Sequence, residues 1–205
     1  SRPPATRRRF TAEQARERIL EAAERRLGEV GPEGLRLTEL AAELGISHPA
    51  ILHHFGSREG LVVEVVRRSF GSLNDELMSA IASRGDRRGP LLLDRIAEFY
   101  GARGHARTIA WLVLSGRAPR KATRSKEAGP PPFSRLIQLI HAQRMEIDRE
   151  APLADTAFRA QLTALALLGG ALFGDLILGE SGVAPSAERA REFRRRLGEL
   201  VWGAR

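Results

Sequence analysis

The stretch from Leu37 to Arg58, LTELAAELGISHPAILHHFGSR, constrains this chain more than any other. Leu40, Ala41 and Leu44 set an apolar stripe at helical spacing. Gly45 follows where the chain must turn sharply, and glycine adopts the positive φ that such turns need. Ile46 plugs the turn. Ser47 is placed to accept a bond from a free backbone N–H and so to start a second helix. Pro49 falls in the first turn of that helix, where its missing N–H costs nothing. Ile51 and Phe55 form the inward face, and small Ala41 lets the two helices cross closely. The pattern predicts a helix-turn-helix, a motif whose second helix enters a DNA major groove.

The run GISHPAILHHF, followed by SREGL, resembles the DNA-binding domain of the tetracycline-repressor (TetR) family. The upstream segment Ile19-Leu20-Glu21-Ala22-Ala23 and the connection from Gly31 to Leu37 fit the same pattern. The specific match covers roughly Thr11 to Val66; beyond it, only length and helical character agree. Two positions depart. The family's second helix usually carries a phosphate-touching tyrosine where this chain has Leu52, which cannot donate a hydrogen bond. Its first helix usually begins with Thr or Ser where this chain has Arg36, a candidate for a replacement phosphate contact. The resemblance implies an all-α chain. An N-terminal three-helix domain with a basic arm (1–57) is joined by a long helix to a C-terminal helical ligand-binding and dimerisation domain (58–205).

Charge alone does not identify a DNA binder here. The net charge is +8, but residues 1–58 hold ten arginines against eight glutamates, a net of only +2. Arg2, Arg7, Arg8 and Arg9 cluster at the start, as either a solvated tail or an arm that follows phosphates or enters the minor groove. An apolar content of 42% suits a globular chain. The absence of cysteine excludes disulfides and thiolate metal sites. No apolar run reaches the ~18 residues of a membrane span, and the arginines near the N-terminus have no apolar segment behind them. The expectation is a cytoplasmic protein that does not engage a membrane.

Helical signals continue along the chain, with no internal repeat and no strand pattern. Thr11 with Gln14 is close to a capping box, and Gly31-Pro32 should stop the first helix near Val30. Ser57 should cap a long fourth helix to about Ser83, carrying Leu61, Val65, Phe70, Leu73, Leu77 and Ile81 on one face. Such a helix belongs to both halves of the molecule. After a polar break at 84–89, helices are expected over Leu91–Ala102, His105–Leu114, Phe133–Arg149, Asp155–Gly179 and Ser186–Trp202. The basic, proline-rich segment 116–132 reads as a surface loop, with DNA contact as the alternative.

Within the second helix of the motif, Ser47, His48, Ala50 and His53 should face the groove because Ile51 and Phe55 face inward. Pro49 and Ala50 can offer apolar contact to a thymine methyl, and His53 can reach a base or a phosphate. By the resemblance, His48 is the base-reader, His54 and Arg58 bind phosphates, and Thr38 contacts a base or phosphate. His48, His53 and His54 lack the i, i+4 pairing with a nearby acid of a helical zinc site, so no metal or cofactor is expected.

One such motif reads few base pairs, so two copies should meet successive major grooves about 34–36 Å apart on a palindromic operator. The last two helices are the candidate homodimer surface, through Ala164, Leu168, Ala171, Asp175, Phe193, Leu197 and Leu200; the alternative is that they complete the monomer core. Asp175, alone among apolar residues, would then need a partner such as an arginine. The resemblance also implies a cavity among the long helix and its three successors. Its candidate walls are Phe70, Leu77, Phe99, Tyr100 and Trp111, then Phe133, Ile137 and Met145, with Tyr100 and His141 as polar anchors for a mainly apolar ligand of unknown identity. The alternative for each is plain core.

No nucleophile elbow, phosphate loop, dinucleotide fingerprint or zinc-binding helix occurs, so an enzyme is not expected. The reading is a dimeric repressor released from DNA by a small ligand. The alternatives are a DNA-binding regulator controlled by a protein partner or by concentration, and a helical enzyme or scaffold with an incidental motif.

Overall fold

The computed structural model describes residues 11–82, 89–117 and 131–203. Those residues form nine helices, with no strand among them. The basic arm at 1–10 and most of the polar break and basic loop lie outside the described residues, so the expectations for them do too.

Capping chemistry explains where the first helices begin and end. Helix α1 (Ala12–Gly34) opens on a complete capping box: Thr11 Oγ1 accepts the Gln14 N–H, and Gln14 Oε1 accepts the Thr11 N–H. Gly31 interrupts it with φ 71°, and Pro32 starts a further short turn to Gly34. The expected stop is therefore a kink, because Pro32 is preset for the first turn of a helix. Helix α2 (Leu37–Leu44) ends on Gly45 in the left-handed region, whose N–H reaches the Ala41 and Ala42 carbonyls. Helix α3 (His48–Phe55) is capped by Ser47 and closed by Gly56 at φ 73°.

The chain divides into two compact units, Ser1–Val65 and Val66–Arg205. The division falls inside helix α4 (Arg58–Ala82), eight residues beyond the boundary expected at 57/58. In the first unit Leu20, Leu27, Leu40, Ile51 and Leu61 are almost wholly buried. Each such side chain contributes about 1.5–3 kcal/mol relative to an exposed one.

The second unit adds α5 (Gly89–Tyr100), α6 (His105–Leu114), α7 (Pro132–Ile147), α8 (Leu153–Glu180) and α9 (Ala187–Trp202). Helix α5 packs against α8 and α9, α7 packs against α8, and α6 packs against α5 and α8. Leu73, Leu77, Ile81, Leu93, Phe99 and Leu197 lie in one buried cluster.

Helix α8 corrects one expectation: it is long and apolar enough to cross a membrane by length and composition. Its few polar interruptions are single residues, which break an apolar run but hardly change the average over a helix. One face is buried through Thr156, Ala160, Thr163 and Leu167. Another leaves Phe158, Leu165, Phe173, Leu176 and Ile177 more than half exposed.

Candidate nucleic-acid interface and core cavity

Three glycines and two serines shape the DNA-reading unit. Gly45 turns α2 into α3, and Ser47 Oγ accepts the Ala50 N–H at 3.3 Å. Gly56 then lets the chain leave α3, and Ser57 Oγ caps α4 by accepting the Gly60 N–H at 2.9 Å. Gly60 is a further requirement that sequence reasoning missed. A Cβ there would lie 2.2 Å from the Phe55 carbonyl oxygen, a backbone atom that cannot step aside. The signal available was a glycine in a helix interior, where alanine would ordinarily be better.

Electrostatic ties hold α1 to its neighbours. Arg26 bonds both Glu39 and Glu43 of α2 at 2.8 Å, and Arg25 also pairs with Glu43. The hydrogen bond from Arg26 is the main cause holding the Glu43 carboxyl below its ordinary range. Arg16 pairs with Glu64 of α4 and sits 5.2 Å above the Phe55 ring centroid.

The side chains expected at DNA are displayed together. Ser47, His48, Pro49 and His53 are exposed along α3, while Ala50, Leu52 and His54 are half-buried. Arg36 and Thr38 are exposed at the start of α2. Arg36 gives that helix no side-chain cap, which is the structural consequence of its replacing Thr or Ser. Arg58 is half-buried, with Nε 3.4 Å from Glu59. Neutral and basic groups thus occupy the outer face of α3, and Ile51 and Phe55 anchor its inner face.

In the second unit a cavity of about 1370 Å³ opens among α4, α5, α7, α8 and the end of α9. Phe70, Leu77, Tyr100 and Phe133 line it as expected. Phe99, Trp111, Ile137, His141 and Met145 do not. Phe99 is only 1% exposed and fills the core, its ring 5.1 Å from Phe70 and 4.3 Å from His105. Trp111 stands half-buried under the Arg117 guanidinium, 5.5 Å from its ring. His141 Nδ1 lies 3.1 Å from Thr156 Oγ1, so it ties α7 to α8.

Other residues take those places. Trp202 reaches the cavity from α9 and donates to Thr163 Oγ1 at 3.0 Å. Asn74 and Leu73 line it from α4, and Arg144, Asp155 and Arg159 form a chain of ion pairs in its wall. The bond from Arg144, then that from Arg159, keeps the Asp155 carboxyl below its usual range. Burial pushes the Tyr100 phenol above its usual range, so it stays neutral. Asn74 had a readable signal, since a polar residue interrupted the apolar stripe of α4. The salt-bridged arginines had none.

The expected dimer residues divide. Ala171, Asp175, Phe193 and Leu200 are exposed, and Ala164 and Leu168 are half-buried, with Ala164 also in the cavity wall. Leu197 is a correction: at 9% exposure it belongs to the core of its own chain, because α9 turns it inward. Asp175 is exposed on the single chain.

A capped helix-turn-helix with an exposed polar second helix, followed by a separate helical unit, defines a DNA-binding transcription regulator. Residues 19–65 match the model of the tetR family of bacterial regulatory proteins. The HTH-type transcriptional regulator BetI of Rhizobium meliloti (strain 1021) is 29% identical over 162 residues, covering 76% of this chain and 74% of that protein. A tetR-family regulator from Streptomyces coelicolor shares the fold with a TM-score of 0.58 at 18% identity, over 94% of this chain and 80% of that one. A Saccharomonospora viridis protein in complex with choline does so with a TM-score of 0.61 at 20% identity, over 91% and 96%. The chain thus resembles the tetR family, over residues 19–65 through the family model and over 162 residues through its likeness to BetI.

Proposed function

We propose that this regulator is a homodimeric repressor that leaves a palindromic operator when a small, mainly apolar molecule enters its C-terminal cavity. The observation that carries this reading is the course of α4. Its first residues, from Arg58, belong to the DNA-reading unit, and Phe70, Leu73, Asn74, Leu77 and Ile81 wall the cavity. A ligand pressing on those side chains acts on a helix continuous with the DNA-reading unit. By linkage, operator DNA weakens ligand binding by the same factor.

His48 reads a base; Pro49 and Ala50 touch apolar base edges; Ser47, Thr38 and His53 add polar contacts. Arg36, His54 and Arg58 hold phosphates. The exposed apolar face of α8, with Phe193 and Leu200 of α9, supports dimerisation through a four-helix bundle. The S. viridis neighbour is in complex with choline, which supports a small-molecule ligand for a protein of this fold. The cavity, however, exceeds the roughly 300–1,000 Å³ usual for a small-molecule site, which favours a larger apolar molecule.

Selection of bound sequences from random duplex DNA tests the reading. A palindrome with half-sites about one helical turn apart is expected. Recovery of only single half-sites, or of no motif, overturns it.

A further inference from the structure

Among the polar groups of the cavity, Asn74 differs from the rest. It is 6% exposed, it lines the cavity from α4, and its Nδ2 has no hydrogen-bond partner. A buried amide left without a partner is costly, so such groups are normally satisfied. Its neighbours in the wall are the apolar Phe70, Leu73 and Leu77. The charged groups behave otherwise. Arg144 and Arg159 share Asp155 at 2.5 and 2.9 Å. Arg144 also donates to Thr156 Oγ1, and Arg159 to the Val201 carbonyl. Glu146 and Asp148 are exposed, in water. On α4 the wall around Asn74 carries no charge, and desolvating an unpaired ion against it is prohibitive. Tyr100, whose phenol burial pushes above its usual range, adds a further uncharged polar group to the wall beside Gln143 and Thr163.

Resting on the ligand-release reading above, we infer that the ligand is an uncharged, largely aliphatic molecule carrying a hydrogen-bond acceptor, such as a ketone, ester or amide carbonyl. Asn74 Nδ2 donates to that acceptor. Asn74 is thus the specificity-determining residue of the cavity, and it sets the polar end of the ligand against α4. A quaternary ammonium or a carboxylate of the same chain length is rejected. Neither finds a counter-charge on the α4 wall beside Asn74, and neither gives Asn74 what a neutral carbonyl does without the loss of an ion's hydration.

The test is titration of the full-length protein with four probes of matched length: methyl octyl ketone, decane, decyltrimethylammonium and decanoate. Binding is read by calorimetry and by the fluorescence of Trp202, which lines the cavity. The ketone should bind at least about tenfold more tightly than either ion. Asn74→Leu should lower ketone affinity about tenfold and leave decane affinity unchanged, the size expected for one hydrogen bond in a dry site. Asn74→Asp, which keeps the shape but removes the N–H donors, should lose the ketone as well.

Thermal melts check that both variants fold, and Asn74→Leu should melt no lower than the parent because it removes an unpaired amide. Equal ketone affinity in parent and Asn74→Leu overturns the assignment, as does tightest binding of either ion; in both cases the cavity reading survives. Failure of all four probes to bind the parent protein overturns the cavity reading together with this one.

Discussion

The DNA-reading unit and the cavity unit are both helical, yet they are built on different kinds of information. In the first, function sits on the surface and geometry is fixed by neighbours in sequence. Gly45, Ser47, Gly56, Ser57 and Gly60 act on atoms three to five residues away. In the second, function sits inside a void whose walls come from helices as far apart in sequence as α4 and α9. One unit is specified by caps and turns, the other by packing. Substitutions should therefore fail in different ways in the two.

The largest expected effect breaks the first unit alone. Gly60→Val places a Cβ against the Phe55 carbonyl and should destabilise the N-terminal unit by roughly 3 kcal/mol or more. DNA binding should vanish in a mobility-shift assay while the Trp202 fluorescence response to cavity ligands persists. A fully active Gly60→Val protein would mean that the α3–α4 junction is not as tight as the geometry requires.

Next in size is a contrast within one turn of α9. Leu200 is 83% exposed and Leu197 is 9% exposed. Leu197→Ala should lower monomer stability by about 2–5 kcal/mol. Leu200→Glu should leave folding intact but yield a monomer in sedimentation, with operator affinity reduced at least about a hundredfold because two half-sites are no longer read together. A Leu200→Glu protein that remains dimeric would remove this face from the interface.

The same division explains how much could be read from the sequence. The helix-turn-helix was legible because its signals are short-range: a glycine, a cap and an i, i+4 apolar pair say nearly everything about α2 and α3. The all-helical character was legible for the same reason. The cavity was not, because helical periodicity tells which residues turn inward but not whether they meet a neighbour or a void. Phe70 and Phe99 look alike in sequence, yet one borders the cavity and the other fills the core. His141 reads in sequence as a polar anchor for a ligand, but a threonine fifteen residues away, in α8, holds it. Leu197 and Leu200 differ only by the rotation of α9, which depends on how that helix docks.

Smaller effects sharpen the functional side of the contrast. His48→Ala should relax base preference at one position by about 1–3 kcal/mol, whereas Arg58→Ala should weaken all sequences alike and lower the salt slope by about one. Identical affinities and selected motifs for both variants and the parent would refute these roles. Ser47→Ala should cost about 1 kcal/mol through loss of the α3 cap, visible in the melting of the N-terminal unit and silent in cavity binding.

The smallest effect belongs to the cavity wall and depends on pH. The Asp155 carboxyl is held below its ordinary value of 3.8 by Arg144 and then Arg159. A depressed carboxyl contributes stability that is fully present above its unfolded value and is lost as pH falls through the lower, folded one. Asp155→Asn should therefore melt slightly below the parent at neutral pH, and the difference should shrink as the medium is acidified below about pH 4. Asp155 is a third exposed, so solvent and salt screen the pairs and keep the effect small. A difference that stays constant down to pH 2 would mean that Asp155 acts through its shape and not its charge.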